Sequence, residues 1–184
     1  MTVAIPHGRV VLLVTALLLG GCTRFEHPVV SESAPALDEA LIGRWRGDNG
    51  EYRVELEVAR NGAEGKVRLT LVEGRKQPET GELRLITGRT DARTFGQVLK
   101  VDDLVPYWRV FRYQLDTPDR VTLYLDNLKF WTEAVKNREL AGNMERAELG
   151  SAHISASTEE VSAFVQKYGA VIFDEEPLFE LTRE

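Results

Sequence analysis

The side chains best suited to hydrolytic chemistry lie in one short segment. Ser151, His153 and Ser155 alternate along the chain, so in a strand all three point to the same face. A Ser-His-Asp triad would have to use His153 as its base, because the other histidines precede the predicted domain. No Gly-x-Ser-x-Gly sequence marks either serine as a nucleophile. A polar strand face is the preferred account of this spacing.

Paired acidic residues offer a second route to catalysis, since two carboxylates can hydrolyse glycosides. Asp102-Asp103 and the run from Asp174 to Glu176 both fall where loops are expected, which indicates solvated loop charge. A zinc site would need three or four converging ligands, and with no free Cys the predicted domain contributes only one His. We predict no enzyme, no catalytic residue, no metal and no cofactor, and a hydrolase using His153 or Asp102-Asp103 is the weakest hypothesis.

One strand is unusually rich in aromatic residues and carries a candidate ligand site. Alternation puts Tyr107, Arg109, Phe111 and Tyr113 on one face and Trp108 with Val110 on the other. If the first face points inward, Arg109 can stack on an aromatic ring. A buried cation there needs either an internal carboxylate or an anionic ligand, such as a fatty-acid head group.

The elements that position these residues are mainly strands. From Leu41 onward, apolar residues recur at every second position and short turn sequences separate the runs, as in Tyr52 to Val58 and Lys66 to Leu71. Successive strands with short turns favour an antiparallel meander over crossover connections. The sequence predicts a β-rich α+β fold whose meander closes into a barrel or a strongly curved sheet, with about eight or nine strands.

Two helices interrupt the strands. Apolar spacing predicts one over about residues 127–140, and a capping box of Ser157 and Glu160 predicts another over about 157–168. Residues 144–155 are expected to form one strand, and residues 170–173 with 177–181 to close the sheet. The formal net charge of −6 and the absence of a Lys/Arg cluster argue against nucleic-acid binding.

The N-terminus has the composition of a secretory signal. Arg9 precedes an apolar run over residues 10–19 and two glycines, and the run is shorter than the roughly 20 residues needed to span a bilayer. Residues 23–37 mix prolines, serines and alanines without periodicity. We therefore predict a signal peptide over residues 1–21, an N-terminal tether over 22–40 and a single domain over 41–184.

The tetrapeptide from Leu19 to Cys22 resembles the lipobox of bacterial lipoproteins, and Cys22 is the only cysteine of the chain. The resemblance implies that Cys22 is acylated and becomes the first residue after cleavage. In Gram-negative lipoproteins an Asp after the modified Cys marks retention in the inner membrane, and here Thr23 follows. The resemblance therefore implies lipid anchoring at the periplasmic face of the outer membrane.

Residues 43–45, Gly-Arg-Trp, resemble the Gly-x-Trp motif of the first lipocalin strand, in which the Trp fills the closed end of an eight-stranded barrel. The late helix followed by a strand is also arranged as in lipocalins. The Thr-Asp-Tyr turn motif of that family is missing, and residues 127–140 interrupt the meander. The resemblance implies a cavity lined by Trp45 and the aromatic face of Tyr107, Arg109, Phe111 and Tyr113.

Two functions follow from these predictions. The first is non-enzymatic binding of a small apolar molecule inside a lipocalin-like barrel. The alternative is an assembly or scaffolding factor that binds a neighbouring envelope protein. They differ in the barrel interior, because a carrier needs a cavity of about 300 Å³ or more and an assembly factor does not.

Overall fold

The computed structural model describes residues 23–29, 37–90, 93–100, 107–146 and 151–184. The strands in these ranges are β1 (Arg24–Phe25), β2 (Gly43–Asp48), β3 (Tyr52–Asn61), β4 (Glu64–Glu73), β5 (Glu79–Thr90), β6 (Arg93–Lys100), β7 (Tyr107–Thr117), β8 (Arg120–Tyr124), β9 (Gly142–Arg146), β10 (Ser151–Ile154) and β11 (Phe179–Arg183). The α-helices are α1 (Leu128–Lys136) and α2 (Thr158–Tyr168), and 3-10 helices span Glu39–Leu41 and Gly169–Ile172.

Eight of the strands form a closed antiparallel barrel. Each strand from β2 to β7 pairs with the next strand along the chain. Strand β11 then closes the barrel by pairing with both β8 and β2. The predicted β-rich α+β fold, an antiparallel meander closing into a barrel with two helices, is confirmed. Closure leaves no open edge among the barrel strands.

The register of these pairs decides which side chains face the interior. Leu56 lies opposite Leu69, and Leu69 lies opposite Gly81 on the next strand. Directly opposite residues of paired strands share a face, and successive side chains along a strand alternate between the two faces. The pairs therefore identify the inward-facing positions around the whole barrel. The buried inner core consists of Leu37, Leu41, Trp45, Val54, Val58, Val67, Leu69, Leu71, Leu85, Tyr113, Val121, Phe179 and Leu181.

The two ends of the barrel differ. At one end residues 37–41 cross the opening, where the Asp38 N–H donates to Thr87 Oγ1 at 2.8 Å and Asp38 Oδ2 accepts from the Tyr113 hydroxyl at 2.9 Å. We call this the closed end, and β2 begins there while β11 ends there. We call the opposite end the open end. Strand β7 begins at the open end, β8 ends there, and the loops 49–51 and 74–78 border it.

A second core lies outside the barrel, against the outer face of β5 to β7. Strand β8 pairs with the second half of β7. Strand β1 pairs with the first half of β7, where Phe25 lies opposite Trp108. Strand β10 pairs with β1, and β9 pairs with β10. With the two α-helices these strands enclose a core that includes Phe25, Val29, Ile86, Trp108, Val110, Trp131, Ile154, Val161, Phe164, Val165 and Ile172.

The predicted tether is wrong for the parts of it that the structure describes. Thr23, Phe25 and Val29 are buried, with 0–1% of their surface exposed, and Leu37 and Leu41 are buried in the barrel. Only two residues of β1 pair with neighbouring strands, which is too short a run to produce visible alternation. The fold therefore includes residues 23–29 and does not begin at residue 41.

The helices are largely as predicted. The capping box of α2 forms in both directions, and the Gly169 N–H donates to the Val165 carbonyl at its end. Helix α1 is shorter than predicted, because Arg138 takes a left-handed backbone conformation at φ 60°. Residues 144–155 were expected to form one strand, but their described part contributes to two antiparallel strands, β9 and β10. Residues 170–172, expected in a strand, lie in a 3-10 helix.

Candidate functional site

The closed end of the barrel is filled by its own side chains. Trp45 is buried, and its indole N–H donates to the Leu41 carbonyl at 2.7 Å. The Arg183 guanidinium lies 4.1 Å from the Trp45 ring centroid and donates to the carbonyls of Ala40 and Ile42 at 2.7 and 2.6 Å. These contacts attach β11, the last barrel strand, to the segment that crosses the closed end.

Inward-facing glycines show where the interior is packed and where it is empty. A Cβ added at Gly47 would collide with Leu181, one at Gly65 with Leu37, and one at Gly96 with the ring of Phe111. A Cβ added at Gly81 would meet no heavy atom within 4 Å. Gly81 lies near the start of β5, at the open end. The barrel therefore contains free space beside Gly81.

Several inward-facing apolar side chains of the barrel are only partly buried. Leu56, Leu83, Phe111 and Leu123 face inward and pack against the inner core, yet each keeps an intermediate exposure. Inward-facing leucines in the middle of barrel strands are fully buried when the interior is filled. Their residual exposure shows that solvent reaches part of the inner face, and the surface exposed there is apolar.

The predicted ligand residues lie at two levels of the barrel. Tyr113 and Trp45 are each 2% exposed and belong to the packed closed end. Phe111 is half-buried, and its ring lies where a side chain at residue 96 would otherwise sit. Tyr107 and Arg109 lie at the beginning of β7, towards the open end. None of the predicted residues lies within 4 Å of a Cβ added at Gly81.

Arg109 stacks on a ring, as the sequence suggested. Its guanidinium carbon lies 5.0 Å from the Tyr107 ring centroid, and that of Arg24 lies 4.7 Å from the same centroid. The buried carboxyl of Asp126 accepts a hydrogen bond from the Thr23 N–H at 3.2 Å. Burial raises the pKa of Asp126 to about 6, against the opposing effects of Thr23 and the positive charge of Arg109. Arg109 therefore has an internal carboxylate within electrostatic reach.

The described residues of the Ser-His-Ser segment lie away from the barrel interior. Ser151 and His153 belong to β10, where His153 is paired with Arg24 and Asn143. Ser155 follows the strand, and its N–H donates to the Ala141 carbonyl. Asp102 and Asp103 lie outside the described residues, as does Cys22, the predicted lipidation site. The acidic side chains of residues 174–176 are exposed, as expected for loop charge.

Sequence reasoning missed three residues that define this site. Gly81 follows Pro78 in a turn-like sequence that gives no sign of a strand interior, although it is an inward position of β5. Asp126 directly precedes a helix cap and gives no sign of burial. Arg183 is two residues beyond the last predicted strand, and only the closed barrel brings it onto Trp45.

Among the described residues, no helix has the length and apolarity needed to cross a membrane. Comparisons with protein-family models, with curated proteins and with solved structures found no match to this chain.

Proposed function

We propose that this protein binds a small apolar molecule in the barrel lumen without catalysing a reaction. The observation that carries the proposal is the unfilled inward position at Gly81, in a barrel whose inward-facing Leu56, Leu83 and Leu123 keep partial exposure. The closed end supports it, because Leu37, Leu41 and Trp45 leave the open end as the route of entry. Lipidation at Cys22 and residence at the periplasmic face of the outer membrane are part of the same proposal, on the lipobox resemblance.

The proposed ligand is uncharged along the part that enters the lumen. Arg109 would favour an anionic head group only if no carboxylate stood near it, and Asp126 is near enough to be affected by its charge. Each buried methylene contributes about 0.8 kcal/mol, and association costs at least about 4 kcal/mol. A chain of roughly a dozen carbons would gain about 10 kcal/mol before that cost, which leaves at most about 6 kcal/mol and corresponds to a Kd of tens of micromolar or weaker.

The experiment compares two leucine substitutions at neighbouring positions of β5. Gly81→Leu directs a side chain into the lumen, whereas Thr80→Leu places the same side chain on the exposed outer face. The mature protein is titrated with N-phenyl-1-naphthylamine, an uncharged apolar probe whose fluorescence rises on burial. We expect Gly81→Leu to weaken probe binding at least tenfold and Thr80→Leu to change it less than twofold.

Stability is the necessary control for this comparison. Glycine inside a strand costs about 0.5–1 kcal/mol relative to alanine, so Gly81→Leu should unfold at the same or a higher denaturant concentration than wild type. Equal probe binding by both variants would show that the lumen is not the site. A filled interior would favour the alternative of an assembly factor. In that case the native protein should co-purify with an envelope complex.

A further inference from the structure

The residue that would carry the lipid is directly followed by a buried one. Thr23 has no exposed surface, and its N–H donates to Asp126 Oδ2 at 3.2 Å. Asp126 comes two residues after β8, at the open end of the barrel. Consecutive Cα atoms are 3.8 Å apart, so a lipid on Cys22 would be attached within one residue of this rim.

The residues after Thr23 are equally fixed. Phe25 pairs with Trp108 on β7, and its ring lies edge-on to Trp131 at 5.0 Å between centroids. The Glu26 N–H donates to the Ile154 carbonyl at 2.9 Å. Residues 23–29 therefore provide no flexible spacer, and two or three acyl chains would hold the domain close to the bilayer with little rotational freedom.

An exposed apolar side chain lies on the same rim. Asp126 bridges to Phe173, and the Asn127 N–H donates to the Ile172 carbonyl at 2.8 Å. The adjoining Val171 is 59% exposed. Among the described residues it is the large hydrophobic side chain classed as exposed. A membrane surface next to Thr23 would cover it.

We propose that the lipid on Cys22 holds the open end of the barrel against the bilayer surface, so that the apolar ligand passes directly between membrane and lumen. This inference rests on the proposed lipidation and ligand binding. The partner is a lipid surface, since the attachment point and Val171 lie on the rim through which the ligand would enter.

The test measures the distance from each end of one barrel strand to the membrane. Single cysteines are introduced at Gln77, in the open-end loop after β4, and at Ala63, in the closed-end loop before it, and both positions are exposed. The lipidated variants are labelled with a donor fluorophore and reconstituted in phosphatidylethanolamine–phosphatidylcholine vesicles carrying an acceptor on their headgroups. Energy transfer then reports each height above the surface.

We expect the Gln77→Cys label to lie closer to the membrane than the Ala63→Cys label by about 25 Å. This is the length of a ten-residue strand at 3.3 Å per residue, corrected for a tilt of about 40°. A spacer of 15 Gly and Ser residues between Cys22 and Thr23 should reduce the difference below about 10 Å, because it separates the rim from the lipid.

Equal heights for the two labels, or a closer Ala63→Cys label, would overturn this orientation while leaving lipidation and binding intact. A bare thiol on Cys22 in the mass of the cell-derived protein, with no vesicle association, would overturn the anchoring as well. The two failures are therefore distinguishable.

Discussion

The buried carboxyl of Asp126 predicts an unusual dependence of stability on pH. Its pKa is about 6 in the folded protein, against 3.8 for an ordinary Asp. Between about pH 4 and pH 6 the folded carboxyl keeps a proton that the unfolded chain has lost. Unfolding then releases a proton, so the free energy of unfolding falls as pH rises through this window.

The magnitude follows from the size of the pKa difference. About two pKa units at 1.36 kcal/mol each correspond to about 3 kcal/mol. Relative to its protonated form, Asp126 therefore destabilises the folded protein by about 3 kcal/mol at pH 7, and that loss is absent below about pH 4. Most proteins lose stability when their carboxylates are protonated, so this group acts in the opposite direction.

The assay is guanidinium unfolding of the mature protein, followed by tryptophan fluorescence between pH 4 and pH 8. Asp126→Asn is the comparison, because the amide oxygen can still accept from the Thr23 N–H but does not titrate. The stability of wild type minus that of Asp126→Asn should fall by about 2 kcal/mol from pH 4 to pH 6.5 and stay nearly constant above pH 7.

Taking the difference between the two proteins cancels the pH dependence of every other titrating group. Loss of the negative charge near Arg109 adds only an offset that does not vary with pH. If the difference between the two proteins does not change with pH, Asp126 ionises as in the unfolded chain and its burial has no electrostatic cost. A rise in the difference over the same window would mean that Arg109 lowers the pKa of Asp126 by more than burial raises it.

Three further substitutions test separate parts of the fold. Arg183→Met removes the stacking on Trp45 and three charged hydrogen bonds to backbone carbonyls, and we expect guanidinium unfolding to show a loss of about 2–4 kcal/mol with a changed tryptophan emission. Phe25→Ala should cost about 3–5 kcal/mol by the same measurement, whereas a side chain in a tether would cost almost nothing. Ser157→Ala removes the α2 cap that faces Glu160 and should cost about 1 kcal/mol, and an unchanged stability would mean that the cap is replaced by water.

The barrel could be predicted from local patterns because each pattern has a local cause. Alternation along β3 and β4 follows from one wet and one buried face, and it extends over ten residues in each strand. The α2 cap is likewise encoded within four residues, from Ser157 to Glu160. Trp45, in the three-residue Gly-Arg-Trp sequence, is buried at the closed end of the barrel.

The features that sequence reasoning missed depend on contacts distant in the chain. Thr23 is buried because Asp126, 103 residues away, accepts its N–H, and no local signal encodes that partner. Strands β9 and β10 are five and four residues long, too short for their alternation to show that they are two strands and not one. The space beside Gly81 depends on the side chains of several strands and is a property of the closed barrel alone.

Native mass spectrometry of the protein released from its own cells tests the central claim most directly. The wild-type protein should carry a non-covalent mass beyond the polypeptide and the acyl groups on Cys22, and Gly81→Leu should lack it while Thr80→Leu keeps it. The same additional mass on the wild type and on Gly81→Leu, or none on either, would contradict an apolar ligand in the lumen.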